Sequence, residues 1–167
     1  MIFPRFRFSL LAAVILLLSV SNSVLVTGNP AAGSFTITIE GYAVTGTLTD
    51  LTGHQSGVRL LMIINQTFST TMGSVRIVGI GVWNGATADT TVVGSIDNVN
   101  GTIHACVLLT CKDANFTGSG TWAGKVTEVS ASPPLASGTF QGTLDFPTLN
   151  PPRVVPVSGN WTSTLNI

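Results

Sequence analysis

Gly118-Ser119-Gly120-Thr121-Trp122-Ala123-Gly124 places one tryptophan among glycines at alternate positions, and Ser137-Gly138-Thr139-Phe140-Gln141-Gly142-Thr143-Leu144 does the same with Phe140. In an extended strand, alternate residues share a face, so the ring and its glycines lie on one side. A glycine makes room for a ring on the neighbouring strand, as a curved or tightly packed sheet requires. The arrangement returns in residues 79–85 and, without the last glycine, in residues 158–161. These segments predict an all-β protein.

Period-two alternation continues in both directions along the chain. Phe35, Ile37 and Ile39 share one face of the first run, and the last run alternates from Val155 to Leu165. We therefore expect about nine short antiparallel strands, arranged as a β-sandwich, with a closed meander β-barrel as the alternative. Seven of the expected strands cover residues 35–40, 42–48, 58–64, 74–83, 90–96, 102–109 and 155–165, and two more contain the shared faces of Trp122, Gly124 and Val126 and of Phe140, Gly142, Leu144 and Phe146.

Two features of the central strands carry further expectations. Asn84-Gly85 and Asn100-Gly101 are dipeptides that tolerate positive φ, and each lies between strand-like runs, so both are expected to form turns. Residues 74–83 carry apolar side chains on both faces. We expect both faces of that strand to be covered.

Composition limits the classes of function. The chain has 167 residues, of which only 8% are charged, and hydroxyls are abundant, with 23 Thr and 15 Ser. If Arg5 and Arg7 are removed with the N-terminal segment, the chain keeps five basic residues (7 − 2) and seven acidic ones. This balance gives no electrostatic case for binding nucleic acid or an anionic membrane surface.

The N-terminal residues have the layout of a secretory signal peptide. Arg5 and Arg7 precede an apolar run over residues 8–20, and small polar residues follow at 21–23. An uncleaved membrane anchor is the alternative, and either one places the rest of the chain outside the cytoplasm. We expect a signal peptide over residues 1–23, a short extension over 24–34 and a single all-β domain over 35–167.

Cys106 and Cys111 are the only two cysteines, which in an exported chain predicts a disulfide. Their odd spacing allows a bond only if the chain turns between them, since otherwise they point to opposite faces of one strand. Two buried thiols are the alternative. A metal site is not expected, because His104 has no second histidine at ligand spacing.

Four sequons offer glycosylation sites in an exported protein. Their asparagines are Asn65, Asn100, Asn115 and Asn160. On the last strand, Asn160 lies on the polar side, where a glycan could attach.

Catalytic residues are not apparent. His54 and Ser56 lie in a glycine-flanked loop without a third orienting group, and the carboxylates are scattered. We therefore expect a protein that is not an enzyme and needs no cofactor. Trp83, Trp122 and Trp161 would form a ligand platform if exposed, but their alternation with glycine and aliphatic residues favours the core.

Two non-catalytic functions fit this chain. The first is an extracellular or cell-surface structural protein, a fibre or coat subunit that self-associates by strand addition. Phe35, Ile37 and Ile39 would then mark a donated strand. The second is a secreted module that binds a glycan or a small apolar ligand. A membrane is expected as a partner only if the N-terminal segment is retained.

Overall fold

The computed structural model describes residues 33–39, 42–51, 57–70, 73–107 and 110–165. The expected signal peptide and most of the extension, with His54 and Ser56, lie outside these ranges. Eight strands follow one another: β1 (Gly33–Ile39), β2 (Tyr42–Asp50), β3 (Val58–Thr70), β4 (Gly73–Ala88), β5 (Thr91–Val107), β6 (Thr110–Glu128), β7 (Leu135–Phe146) and β8 (Arg153–Thr164). No helix among the described residues has the length and apolar character needed to cross a membrane.

The strands form one closed antiparallel barrel. Each strand pairs with its neighbours in sequence, and β1 pairs with β8 to complete the ring, with Thr36 opposite Asn160. The all-β prediction is confirmed in its alternative form, a closed meander barrel, and the β-sandwich is wrong. Alternation could not decide between them, because both architectures bury one face of each strand. The pairing of the first strand with the last makes the difference.

The strands expected over residues 90–96 and 102–109 are not separate, because residues 91–107 form the single strand β5; residues 108 and 109 lie outside the described ranges. Asn98 has a φ of 54°, and the register with β6 shifts between Ile96 and Val99. This is a β-bulge, which inserts residues into a strand without reversing it. The turn expected at Asn100-Gly101 is therefore wrong.

Asn84-Gly85 is likewise part of a strand, β4, in which Gly85 pairs with Val58 and Gly94. Of the two apolar faces expected in residues 74–83, only the inner one is covered. Val75 and Ile77 are buried, whereas Val78 and Ile80 on the outer face are 39% and 53% exposed. The expectation that both faces would be covered is wrong, because the outer side of a barrel strand meets solvent.

Aromatic rings fill the middle of the barrel. Trp83 is fully buried, and its ring centroid lies 5.2 Å from Phe140, 5.5 Å from Trp122, 6.0 Å from Phe35 and 6.2 Å from Trp161. Such ring pairs contribute about 0.5–1.5 kcal/mol each beyond their burial. The rings come from β1, β4, β6, β7 and β8, so this cluster ties distant parts of the ring of strands together.

Glycines one or two strands away make room for these rings. A Cβ at Gly85 would lie 2.5 Å from Cζ2 of Trp122, and one at Gly159 would lie 2.6 Å from Cζ of Phe140. Those separations are too short for real atoms, so larger residues at these positions would displace a ring. The alternation of glycine and ring in the sequence thus reflects packing of rings over glycines one or two strands away.

The tryptophans recur at a fixed interval of 39 residues (122 − 83 and 161 − 122). They stand on β4, β6 and β8, so each interval corresponds to one hairpin. Trp122 Nε1 donates to the carbonyl of Asn84 at 3.1 Å, and Trp161 Nε1 donates to that of Ala123 at 3.2 Å. In both cases the acceptor lies two strands away and 38 residues earlier.

Candidate functional site

The outer surface of β1, β6, β7 and β8 carries rows of small polar side chains. One row contains Thr38, Ser158, Gln141 and Thr121, which are successive register partners across the four strands. Neighbouring strands lie about 4.8 Å apart, so the row presents hydroxyl and amide groups at regular intervals. These residues point outward, because the residues before and after each of them on the same strand point into the barrel interior.

An open groove of about 840 Å³ runs over this surface. We define the outer groove by Thr38, Thr121, Thr139, Gln141, Ser158 and Asn160. Its floor includes Gly94 and Gly159, where the sheet carries no side chain on the inner face. Two smaller depressions of about 430 and 660 Å³ continue it and share several of its residues.

The outer groove is uncharged, since none of its lining residues is ionisable, and its hydroxyl and amide groups lie beside apolar side chains such as Val93. A phosphate or carboxylate ligand would meet no cation there, and a metal ion would meet no carboxylate. The groove therefore suits a neutral ligand that both donates and accepts hydrogen bonds.

The three tryptophans lie beneath the surface. Trp83, Trp122 and Trp161 are 0%, 2% and 2% exposed. An exposed platform of the three indoles does not match these positions, because they share the inner face of the barrel with the glycines.

The expected donor strand is part of the barrel itself. β1 pairs along its whole length with β2 on one side and β8 on the other. Phe35 and Ile37 are buried, and Ile39 packs against the core. Donation of β1 to another copy would first require both ladders to open.

Segments of β3 and β6 have one open edge among the described residues, as does the start of β2 over residues 42–46. β2 and β3 pair only from Thr47 to Asp50. Beyond that point, the backbone N–H of Thr45 on β2 donates at 2.9 Å to the side chain of Gln66 on β3 rather than to its backbone. Among the described residues, nothing continues the ladder beside residues 64–70 of β3. The same holds for residues 110–116 of β6, because the pairing of β6 with β7 begins at Thr117.

All four sequon asparagines are exposed. Asn65, Asn100 and Asn115 lie on the outer face of the β3–β6 side, near the exposed Val78 and Ile80. Asn160 lines the outer groove. The positions permit glycan attachment, which stays a prediction.

The Cys106–Cys111 disulfide is confirmed. The two residues are direct register partners in the β5–β6 hairpin, with Cα atoms 4.0 Å apart. The chain turns between them, as a bond requires.

A histidine and a carboxylate lie beside the disulfide on the same outer surface. His104 Nδ1 is hydrogen-bonded to Asp113 Oδ1, and His104 Nε2 lies 3.1 Å from Cys106 Sγ. We call Cys106, Cys111, His104 and Asp113 the hairpin cluster. His104 Nε2 and the two sulfurs lie close enough together to hold a metal ion. While the sulfurs are bonded to each other, however, they offer no thiolate ligand.

The spacing of His104 and Asp113 from the two cysteines is a signal for this cluster, although His104 has no second histidine at ligand spacing. If Cys106 pairs with Cys111 in a hairpin, then residues 104 and 113 must also pair, since each lies two positions further from the turn. The predicted disulfide therefore implied that His104 faces Asp113.

One carboxylate has a perturbed pKa. The Ser95 hydroxyl donates to Asp97 Oδ2 at 2.6 Å and the Asn84 amide donates to the same oxygen at 3.1 Å. These hydrogen bonds, Ser95 first, hold the pKa of Asp97 below its usual value. The three residues cross-link β4 and β5 next to the bulge.

Comparison with known proteins found no match for this chain among protein-family models, curated proteins or solved structures.

Proposed function

We propose that this chain is an exported, non-catalytic structural protein that self-associates by strand addition. The open edge of β6 in one copy would pair with the open edge of β3 in the next. The observation that carries the proposal is that residues 64–70 and 110–116 each have a ladder neighbour on one side only within the described part of the chain. The backbone N–H and C=O groups on such edges are templates for another strand.

The two edges are compatible in length and charge. Residues 64–70 contain no charged side chain, although edge strands are commonly protected by lysine, proline or a bulge. Residues 110–116 carry Lys112 and Asp113, whose opposite charges sum to zero. Pairing of the two edges therefore meets no net repulsion.

The proposed contact joins two different surfaces, one on each copy. Heterologous contacts of this kind leave an open edge at each end of the assembly, so they generate fibres or layers unless the rotation closes a ring. The low charge of the chain fits such an assembly, because neighbouring subunits would repel each other little. The expectation of a fibre or coat subunit thus remains, with the contact moved from β1 to β3 and β6.

The test compares assembly of the mature protein with that of Thr67→Lys/Ser69→Lys, which adds two charges beside the β3 edge. Light scattering after size exclusion, together with electron microscopy, should show concentration-dependent polymers for the wild type and monomers for the variant. Ser119→Lys is the matched control, because Ser119 is exposed on a strand segment that has neighbours on both sides. It should assemble like the wild type. Monomeric wild type at every concentration would refute self-association.

The outer groove supports a second candidate, the binding of a neutral glycan. Its hydroxyl and amide groups can exchange hydrogen bonds with sugar hydroxyls, and it presents no charge that would require a counter-charge on the ligand. Calorimetric titration with neutral oligosaccharides would test this, with Gln141→Ala and Asn160→Ala as groove variants and Ser119→Ala as control. The candidate is supported if an oligosaccharide binds the wild type and the control variant equally and binds both groove variants more weakly. If no oligosaccharide binds the wild type, the candidate is excluded.

A further inference from the structure

The hairpin cluster combines a disulfide with a proton-transfer group. The sulfurs of Cys106 and Cys111 are joined on the outer surface of β5 and β6, and His104 Nε2 lies 3.1 Å from Cys106 Sγ. A carboxylate oxygen accepts hydrogen bonds, so the arrangement assigns the donor role to His104 Nδ1–H and the acceptor role to Asp113 Oδ1. His104 Nε2, on the other side of the ring, faces the sulfur.

The cluster is also accessible. The His104 and Asp113 side chains are 48% and 63% exposed, and Cys111 is more exposed than Cys106. A disulfide that served only to close the hairpin would not need an oriented imidazole on one of its sulfurs. We propose that the hairpin cluster is a thiol–disulfide exchange centre that oxidises accessible thiols of small molecules or peptides.

The proposed reaction has two steps, which begin at Cys111. A substrate thiolate attacks Cys111 Sγ, a new S–S bond forms between substrate and Cys111, and the Cys106–Cys111 bond breaks. Its electron pair goes to Cys106 Sγ, which takes a proton from His104 Nε2–H. A second substrate thiolate then attacks the substrate sulfur of the mixed disulfide and releases the Cys111 thiolate, which is protonated by water. Two thiols are oxidised to one disulfide, and the protein disulfide is reduced to two thiols.

The direction of attack follows from the position of His104. Attack on Cys111 makes Cys106 the leaving group, and only Cys106 has the imidazole in contact. A leaving thiolate departs faster when its charge is neutralised. Asp113 acts as a positioning residue, since it fixes the ring orientation through Nδ1. Arg76, the register partner of His104 on β4, directs its guanidinium to Asn65 at 3.4 Å.

The first experiment measures the second-order rate constant for reduction of the protein disulfide by glutathione. His104→Gln should lower it by about tenfold, less than the roughly hundredfold or more of many general acids, because His104 is half exposed. Asp113→Asn should lower it by a smaller factor. His54→Gln removes the only other histidine and should leave the rate unchanged. Equal rates for all four proteins would overturn the proposal.

A second experiment separates the two sulfurs, and its first comparison keeps His104 in place. Cys111→Ser leaves the Cys106 thiol beside His104, whereas Cys106→Ser leaves the Cys111 thiol without that contact. Iodoacetamide should alkylate the first thiol faster at pH 6.5, and adding His104→Gln should abolish the difference. Equal alkylation of the two thiols would contradict an exchange centre and leave a disulfide that only stabilises the hairpin. Stoichiometric Zn²⁺ binding by the reduced protein, together with unaccelerated exchange, would also contradict it and leave a metal site.

Discussion

Trp161 on β8 donates its indole N–H to the backbone carbonyl of Ala123 on β6, reaching across β7 at 3.2 Å. Trp122 repeats the contact with the carbonyl of Asn84, across β5. In each case the intervening strand carries a glycine, Gly138 or Gly94, directly opposite the tryptophan. A Cβ on either glycine would collide with the very carbonyl oxygen that accepts the indole N–H. Glycine and tryptophan therefore form one structural unit that spans three strands.

Replacing Trp161 by Phe should destabilise the barrel by about 2–3 kcal/mol. The variant loses part of a buried ring and the indole hydrogen bond to Ala123; such a hydrogen bond contributes about 0.5–1.5 kcal/mol, and removing part of a buried ring adds to the loss. Urea unfolding followed by circular dichroism measures the difference. Trp122→Phe should behave alike, because it makes the equivalent contact. A loss below about 0.5 kcal/mol in both variants would show that the indole hydrogen bonds contribute little.

Replacing Gly138 by Ala should also destabilise the protein, by about 1–3 kcal/mol, as is typical of an overpacked core. The added methyl group would displace the Ala123 carbonyl and with it the hydrogen bond of Trp161. Thermal unfolding of Gly138→Ala beside the neighbouring outward substitution Ser137→Ala provides the comparison. The glycine variant should melt well below the serine variant, and equal melting temperatures would mean that the close approach at Gly138 is not required.

Reduction of the Cys106–Cys111 disulfide should lower the free energy of unfolding by about 2 kcal/mol and leave the barrel folded. The bond closes a short loop, so it restricts the unfolded chain only modestly. Far-ultraviolet circular dichroism before and after reduction, with urea titrations of both forms, checks both parts. Unfolding upon reduction would mean that the hairpin depends on the bond. That outcome would also leave no folded reduced state for the exchange reaction.

Asp97 should make stability depend on pH in the acid range. Hydrogen bonds from Ser95 and Asn84 lower the pKa of Asp97 in the folded state. Its contribution is therefore complete above the unfolded pKa of about 3.9 and is lost as pH falls through the lower folded value. Urea midpoints of wild type and Asp97→Asn between pH 6 and pH 2 test this. The variant should lose less stability over that range, and parallel curves would show that the hydrogen bonds do not favour the ionised carboxylate.

Much of the strand content could be predicted from residue spacing. The alternation of Phe35, Ile37 and Ile39, and of Val155, Val157 and Trp161, correctly identified inward faces. The strand count was wrong by one, because Asn98 at positive φ supports a bulge as readily as a turn. Local residue types do not distinguish the two, since the outcome depends on whether β6 continues alongside.

Barrel closure and the hairpin cluster depend on contacts between residues distant in sequence or on opposite strands. Nothing in the sequence around Thr36 indicates that its partner is Asn160, so the choice between sandwich and barrel was open. His104 and Asp113 looked isolated for a related reason: their proximity exists only once Cys106 and Cys111 fix the register of the hairpin. The predicted disulfide could have supplied that register, but a search for adjacent motif residues does not use it.

Closure of the barrel by β1 within one chain is the claim that supports the rest, because it pairs β1 on both sides and so moves the proposed contact to the open edges of β3 and β6. Isotope-filtered nuclear Overhauser spectra on mixed labelled and unlabelled protein test it directly. We expect contacts between the backbones of Thr36 and Asn160 and of Thr38 and Ser158 within the same molecule. If those contacts appeared only between molecules, or not at all, β1 would not close its own barrel and the account would be contradicted.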